Sequence, residues 1–367
     1  MMLSNKQIYQ YHTWLGLIGG FFILLLSLTG CILIFENEID SALNSALVNV
    51  NPQGTHKNLD DILVNVLREY PQDQLLNLRI YANQSDRAIR AEILQNQQVK
   101  WVYINPYTAQ ILGEKNKNEA FIRVVFGLHE KLLMGFAGHL ILGLMGFCLL
   151  GSVVTGFIYY RKSIFAVFKT GVRFGKHAQI VNADLHKLLG VSALLFMFVI
   201  SVTGIFFHIE KVEGEVEQVF NTNKGQERKE SAIKTKPDFS AISLTKFEQI
   251  AQNKCIGFKV EFIRLPEYAG DKLSMRGNRT ESIKLLGKYG TTLDMDTKTG
   301  EVIKIFHAEQ ANQEYMLEHI IEELHFGRYG GGLTKTIYFF GGLATMTMTI
   351  TGFFVWWRNK KYKSANH

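Results

Sequence analysis

Four stretches of this chain contain no aspartate, glutamate, lysine or arginine: Thr13–Phe35, Leu132–Tyr160, Leu188–Ile209 and Thr336–Trp357. As helices rising about 1.5 Å per residue, each is long enough to cross a hydrocarbon core, which takes roughly 20 apolar residues. The sequence between them is ordinary and polar. The 47% hydrophobic content over 367 residues is therefore an average of two kinds of segment. Disorder, collagen-like repeats and a soluble all-α bundle are excluded, and the expected class is an α-helical integral membrane protein with four spans and sizeable soluble parts. The first span is too long for a signal-peptide core and has no small-residue cleavage site before Glu36-Asn37-Glu38, so it reads as an uncleaved anchor.

Basic residues give the orientation. Between spans two and three lie Arg161, Lys162, Lys169, Arg173, Lys176 and Lys187 against a single acid, Asp184, and the C-terminus adds Arg358, Lys360, Lys361 and Lys363. The positive-inside rule places both segments, and with an even span count the N-terminus, in the cytoplasm. Trp14, Trp356 and Trp357 then fall at the cytoplasmic interface. These flanks account for much of the +7 net charge, so it calls for no nucleic-acid partner. Cys31 and Cys148 lie inside spans and Cys255 stands alone. A thiolate metal site and a disulfide framework are excluded, and the lack of C-x-x-C-H excludes covalent haem attachment.

The expected organisation is an N-terminal segment with span one (1–36), an outer module (37–131), span two (132–161) and a basic cytoplasmic loop (162–187). Span three (188–209), a second outer module (210–335), span four (336–357) and a tail (358–367) follow. In the first module the pattern predicts a helix over Asp60–Tyr70 and strands at Leu76–Tyr81 and Lys100–Ile104. In the second it predicts a helix near Leu244–Gln252 and strands near Lys259–Arg264 and Thr291–Asp294. Each module ends in a hairpin-like unit, Trp101–Leu112 and Thr292–Ile303, so each reads as a small α+β module.

The chain also repeats itself. His12-Thr-Trp-Leu-Gly16 matches His186-Lys-Leu-Leu-Gly190, and Thr29-Gly30 follows the first at the spacing by which Thr203-Gly204 follows the second (29 − 12 = 203 − 186). Leu128-His129 matches Leu324-His325, with Thr155-Gly156-Phe157 and Thr351-Gly352-Phe353 at a common distance downstream (155 − 129 = 351 − 325). Two duplicated units, each span–module–span, are the implied architecture. Of 11 histidines, only His12/His186 and His129/His325 recur as matched pairs. Topology puts the first pair at the cytoplasmic ends of spans one and three and the second at the outer ends of spans two and four. Two imidazoles from different helices at each face suit bis-histidine haem, whose iron takes axial ligands from opposite sides of a flat ring.

A single boundary histidine is more often a mere polar interface residue; the paired duplication lifts these four above that reading. His139, inside span two, is an alternative to His129 as outer ligand. Its repeat counterpart is Lys335, which favours a basic interface residue or a propionate partner. His208, opposite Ile34 in the repeat, takes the same interface reading. The threonines of the Thr-Gly pairs read as helix-packing or backbone-bonding groups, and Met145, Met346 and Met348 as packing.

At these residues the chain resembles the PepSY-associated transmembrane helix family. The resemblance rests on the His-x-x-Leu-Gly openings, the Leu-His pairs, the Thr-Gly pairs and the Asn105-Pro-Tyr-Thr and Asp296-Thr-Lys-Thr-Gly turns, and it covers about residues 5–360. Members include iron-regulated bacterial inner-membrane proteins and di-haem ferric-siderophore reductases. The resemblance implies an inner-membrane oxidoreductase with periplasmic PepSY-like modules and two b-type haems on His12, His186, His129 and His325. It implies electrons passed outward to a ferric siderophore. Ala109, where the second copy has Gly300, departs from the pattern, as does the lack of a flavoprotein extension after span four. No G-x-G-x-x-G follows a strand, so the electron donor is expected to be a quinol or a separate cytoplasmic flavoprotein. The competing class is a cofactor-free scaffold whose modules bind or regulate a periplasmic protease or cell-wall partner.

Overall fold

The computed structural model describes residues 3–220, 237–239, 242–280 and 282–365. The chain runs through α1 (Asn5–Ile34), α2 (Glu36–Leu43), α3 (Ser45–Val48) and α4 (Leu59–Glu69), then β1 (Gln74–Arg79), β2 (Ile89–Gln95), β3 (Gln98–Ile104) and β4 (Ile111–Asn116). Helices α5 (Phe121–Lys131), α6 (Phe136–Tyr160), α7 (Ile164–Thr170), α8 (Ala178–Ser192) and α9 (Leu194–Phe220) follow. The described chain continues with α10 (Leu244–Lys254), β5 (Lys259–Arg264), β6 (Leu273–Asn278), β7 (Thr291–Met295) and β8 (Val302–His307), and closes with α11 (Gln313–Phe326) and α12 (Gly331–Ala365). Two compact units result. One is helical, from Met1–Phe35, Val125–Thr222 and Leu324–His367; the other, from Glu36–Val124 and Asn223–Glu323, holds the strands.

In the helical unit α1, α6, α9 and α12 each contain a segment long and apolar enough to cross a membrane. Their outward side chains are apolar as well: Phe21, Leu195 and Phe340 are 70%, 74% and 60% exposed, a surface suited to lipid rather than water. Helix α1 starts in a capping box in which the Ser4 hydroxyl accepts from the Gln7 amide and the Gln7 side chain returns to Ser4. It packs against α6 and α12, α6 packs against α9, and α8 against α12.

Helix ends differ from the ends of the apolar runs. Span three is split at Ala193 (φ −96°, ψ 9°) between α8 and α9, and α9 carries on past Ile209 through Glu210, Lys211 and Glu213. An apolar run marks what lipid tolerates, whereas backbone hydrogen bonding decides where a helix stops. His129 likewise sits on α5, not on the spanning helix. Leu132 (φ 52°), Leu133 (φ 58°) and Gly135 (φ 58°) turn the chain between α5 and α6, and the Leu133 amide closes α5 by donating to the Gly127 carbonyl at 3.0 Å. His325 sits on α11, which Gly327 (φ 64°) and Gly331 (φ 60°) separate from α12.

The basic segment after α6 is folded back by one ion pair. Arg173 donates from Nε and Nη2 to the Asp184 carboxylate at 2.8 and 2.9 Å, and its backbone amide adds a third bond at 3.3 Å. Asp184 is 4% exposed, and the Arg173 guanidinium holds its carboxyl below the usual carboxylate range. A carboxyl so lowered stabilises the fold at any pH above about 3.9, its unfolded value, and the gain disappears as pH falls through the folded value. Hydrogen exchange should show α7 and the start of α8 protected at pH 7, losing protection first on acidification. Asp184→Asn should show the same loss already at pH 7.

In the other unit the expected pair of separate modules is replaced by one eight-stranded antiparallel sheet, ordered β4-β3-β2-β1-β5-β6-β7-β8. The seam is β1 against β5, with Asn77, Leu78 and Arg79 opposite Arg264, Ile263 and Phe262. Four-stranded sheets standing apart would each leave these strands as unpaired edges, and joining them satisfies both. One core runs beneath both halves, from Ile62 and Leu63 of α4 through Leu78 and Ile263 to Leu244 and Phe247 of α10. Across it, Asp60 accepts hydrogen bonds from the Ser243 hydroxyl and the Thr245 amide.

The predicted helices and strands appear with small shifts in their ends, and the two hairpin turns are the same construction. The Asn105 side chain accepts from the amides of Tyr107 and Thr108, and Asp296 does the same for Lys298 and Thr299. The fifth residue is left-handed in both, Gly300 at φ 75° and Ala109 at φ 60°. The sequence departure at Ala109 thus leaves the turn intact and loads it with a Cβ in the wrong region, at a cost of about 1 kcal/mol. Ala109→Gly should raise the thermal midpoint of the sheet unit by a few degrees.

Candidate functional site

The four repeated histidines come together two by two inside the helical unit. His12 on α1 and His186 on α8 have ring centroids 6.0 Å apart at 73°; His129 on α5 and His325 on α11 lie 6.4 Å apart at 57°. Along α1, His12 and the residue that touches His129, Thr29, are separated by 29 − 12 = 17 residues, about 25 Å of helix. The pairs therefore lie near opposite ends of the bundle.

Each ring is fixed through Nδ1. His12 donates to the Ser152 carbonyl and His186 to the Met348 carbonyl, both at 2.9 Å. The Thr29 and Thr203 hydroxyls donate to the carbonyls of Leu25 and Val199, so at 2.8 Å their oxygens accept from His129 and His325. All four imidazoles are thereby held as the Nδ1–H tautomer, with the Nε2 lone pair available.

The Thr-Gly pairs are the seats of these rings. A Cβ on Gly156 would lie 3.2 Å from His12 Cε1, and one on Gly352 would lie 2.9 Å from His186 Cε1; Gly30 and Gly204 stand against His129 and His325 at 3.3 and 3.6 Å. In each case the histidine comes from one helix and the Thr-Gly from another. The threonines do bond backbone, as the sequence suggests: Thr155 and Thr351 donate to carbonyls one turn earlier. Their association with the rings is additional. The signal that would have revealed it is numerical, since four repeated histidines accompany four repeated Thr-Gly pairs. Across this whole span of chain, the model for the PepSY-associated TM region matches residues 9–359.

The chain belongs to the PepSY-associated transmembrane family.

No curated protein matches it. Within this family member, a third histidine pair stands apart from the repeat. His139 on α6, 3% exposed, faces His208 on α9 with Nδ1 atoms 3.4 Å apart, and its Nε2 lies 3.8 Å from the Glu215 carboxylate. His129, rather than His139, is thus the histidine opposite His325. His139 has a partner of its own that the repeat could not supply, because His208 corresponds to Ile34.

The His12/His186 end opens into a cavity of about 900 Å³ lined by both histidines, by Gly16, Gly20, Gly156, Gly190 and Gly352, and by apolar side chains. That volume lies within the roughly 300–1,000 Å³ of ligand-binding pockets. Among the described residues no group of three or more histidine, cysteine or acidic side chains is placed to hold a metal ion. Each histidine centre brings two imidazoles together.

Proposed function

We propose that this member of the PepSY-associated transmembrane family is a bacterial inner-membrane di-haem oxidoreductase that reduces ferric siderophore on the periplasmic side to release iron. The observation that carries the reading is the shared geometry of the two histidine pairs. A metal bound by two Nε2 atoms at ~2 Å each sets imidazole centroids about 6 Å apart, and the pairs stand at 6.0 and 6.4 Å with Nδ1 already occupied. Two imidazoles alone hold a free ion poorly, but they complete the coordination of an iron whose other four donors come from a macrocycle. The glycine-lined cavity at His12 and His186 offers a flat ring the close approach it needs.

Haem, when bound, supplies one-electron chemistry at iron. The residues of the chain do the rest. His12 and His186 would hold the inner group, His129 and His325 the outer one. Ser152, Met348, Thr29 and Thr203 keep each imidazole in the ligating tautomer and make it a stronger donor. Two seats near opposite ends of the bundle divide a hydrocarbon core of roughly 30 Å into shorter intervals. Charge asymmetry supports cytoplasmic termini and a periplasmic sheet unit, and the repeated motifs support an origin of the chain by duplication. A quinol or a cytoplasmic flavoprotein is the electron donor, and reduction frees iron because hard oxygen ligands grip the ferric ion more strongly than the ferrous.

The test is a reduced-minus-oxidised spectrum of the full chain purified from haem-replete cells in mild detergent. Two b-type haems per chain are expected. A folded, colourless preparation would end this reading in favour of a cofactor-free scaffold.

A further inference from the structure

One face of the eight-stranded sheet carries a row of cations and aromatic rings that runs across the β1/β5 seam. Strand register places Tyr103, Arg90, Arg79, Phe262 and Arg276 opposite one another in succession on β3, β2, β1, β5 and β6. Arg90 and Arg79 are direct cross-strand neighbours, an arrangement of like charges that costs stability. The guanidinium groups lie over rings: Arg90 is 3.9 Å from the Trp101 centroid, and Arg276 is 5.7 Å from that of Phe262.

Three acids near this row have partners of their own, and the first is Glu261, which accepts from the Asn278 side-chain amide at 3.3 Å. Glu92 accepts from Asn77, Trp101 and Lys117. Burial by itself would raise its carboxyl, but those bonds bring it below the usual range. Asp294, diagonal to Arg276 across β6 and β7, is taken by Lys272 and Ser274. Beneath the buried end of the row Arg87 pairs loosely with Asp40 at 3.6 Å. There the Arg87 Nε, the Arg90 Nε and the Tyr103 hydroxyl are buried with no hydrogen-bond partner among the described residues, although Arg87 and Tyr103 are only 8% and 2% exposed. Unsatisfied buried donors of this kind are rare in folded proteins unless something else supplies the acceptor.

We infer that this row is a binding face for an anionic ferric chelate built from flat, bidentate oxygen ligands, of the catecholate class. A guanidinium fork matches two adjacent anionic oxygens, and it stacks on flat rings as the intervening aromatic side chains do. A neutral chelate lacks the first complement, and an aliphatic one lacks the second. The inference specifies the substrate class of the proposed reductase and rests on that reading for its iron, but its test does not involve electron transfer.

Gallium(III) serves as a redox-inert substitute for iron. The full chain in neutral detergent is titrated with gallium tris-catecholate, with the uncharged gallium tris-hydroxamate and with short-chain phosphatidylglycerol, following tryptophan and tyrosine fluorescence. The catecholate complex should bind saturably and at least about tenfold more tightly than the hydroxamate. Arg90→Gln/Arg276→Gln should weaken it about tenfold while the near-UV circular dichroism stays unchanged. Arg90→Lys/Arg276→Lys, which keeps the charge and preserves folding if glutamine does not, should retain the anion preference with lower affinity. Equal affinity for the two chelates, indifference to both double substitutions, or equally tight phosphatidylglycerol binding lost in the same variants (a lipid-headgroup site) would each overturn the inference. A colourless chain that still selects the catecholate would refute the reductase and leave the binding face standing.

Discussion

On the proposed di-haem reading, His12→Ala or His186→Ala should yield a folded protein that holds one haem where the parent holds two, with the Soret absorbance down to about half and the remaining haem in its original spectral form. His129→Ala or His325→Ala should give the complementary loss. The independence follows from distance: the pairs lie near opposite ends of the bundle, and the bonds that fix His12 and His186 go to Ser152 and Met348 while those that fix His129 and His325 go to Thr29 and Thr203. Removing one imidazole leaves its partner a lone axial ligand, so the affected site should bind haem weakly or in high-spin form. The double variant His12→Ala/His129→Ala should retain neither haem in bis-histidine form. Two unchanged low-spin haems in that double variant would overturn the ligand assignment. His139→Ala, which removes a ring paired with His208, should keep both haems.

The second large effect concerns a glycine that seats none of the four repeated histidines. A Cβ on Gly138 would lie 1.8 Å from the Lys131 carbonyl oxygen, a backbone atom at the C-terminal end of α5 with no freedom to retreat. Gly138→Ala should therefore cost on the order of 3 kcal/mol. The strain falls on the segment that carries His129, so the expected signature is selective. The His129/His325 haem should be lost or shifted while the His12/His186 haem survives. Gly214→Ala on α9 is the matched control, since a Cβ there meets nothing within 4 Å and the residue lines no part of the cavity at His12 and His186, and both haems should remain.

The parts of the molecule visible in the sequence are those where a local pattern has one physical meaning. A run free of charge over more than twenty residues can only be buried in something apolar, so the four spans were readable. The repeat separated four histidines from seven others without any knowledge of their contacts, and the structure brings those four together in two pairs. Other features had no local signature. Leu132-Leu133-Met134 reads as the start of a span, yet two leucines there adopt left-handed backbone, because the following Gly138 lets α5 fold tightly onto α6. The β1/β5 seam depends on two strands nearly two hundred residues apart meeting edge to edge, and nothing in either strand announces the other. His139 and His208 were invisible as a pair for a related reason: the repeat finds partners by symmetry, and this contact breaks the symmetry. Ala109 shows the converse, a departure from the repeated pattern that the turn absorbs.

The shared seam also has a bearing on biosynthesis. Strand β1 can find β5 only after the ribosome has produced Lys259–Arg264, so the amino-terminal half must wait with one border of its sheet unpaired while two further membrane helices are inserted. During that interval it is open to capture by any other extended chain. Cutting the polypeptide between the two halves would make the wait indefinite, so a single continuous chain secures a correct meeting that two freely diffusing halves would reach only by chance.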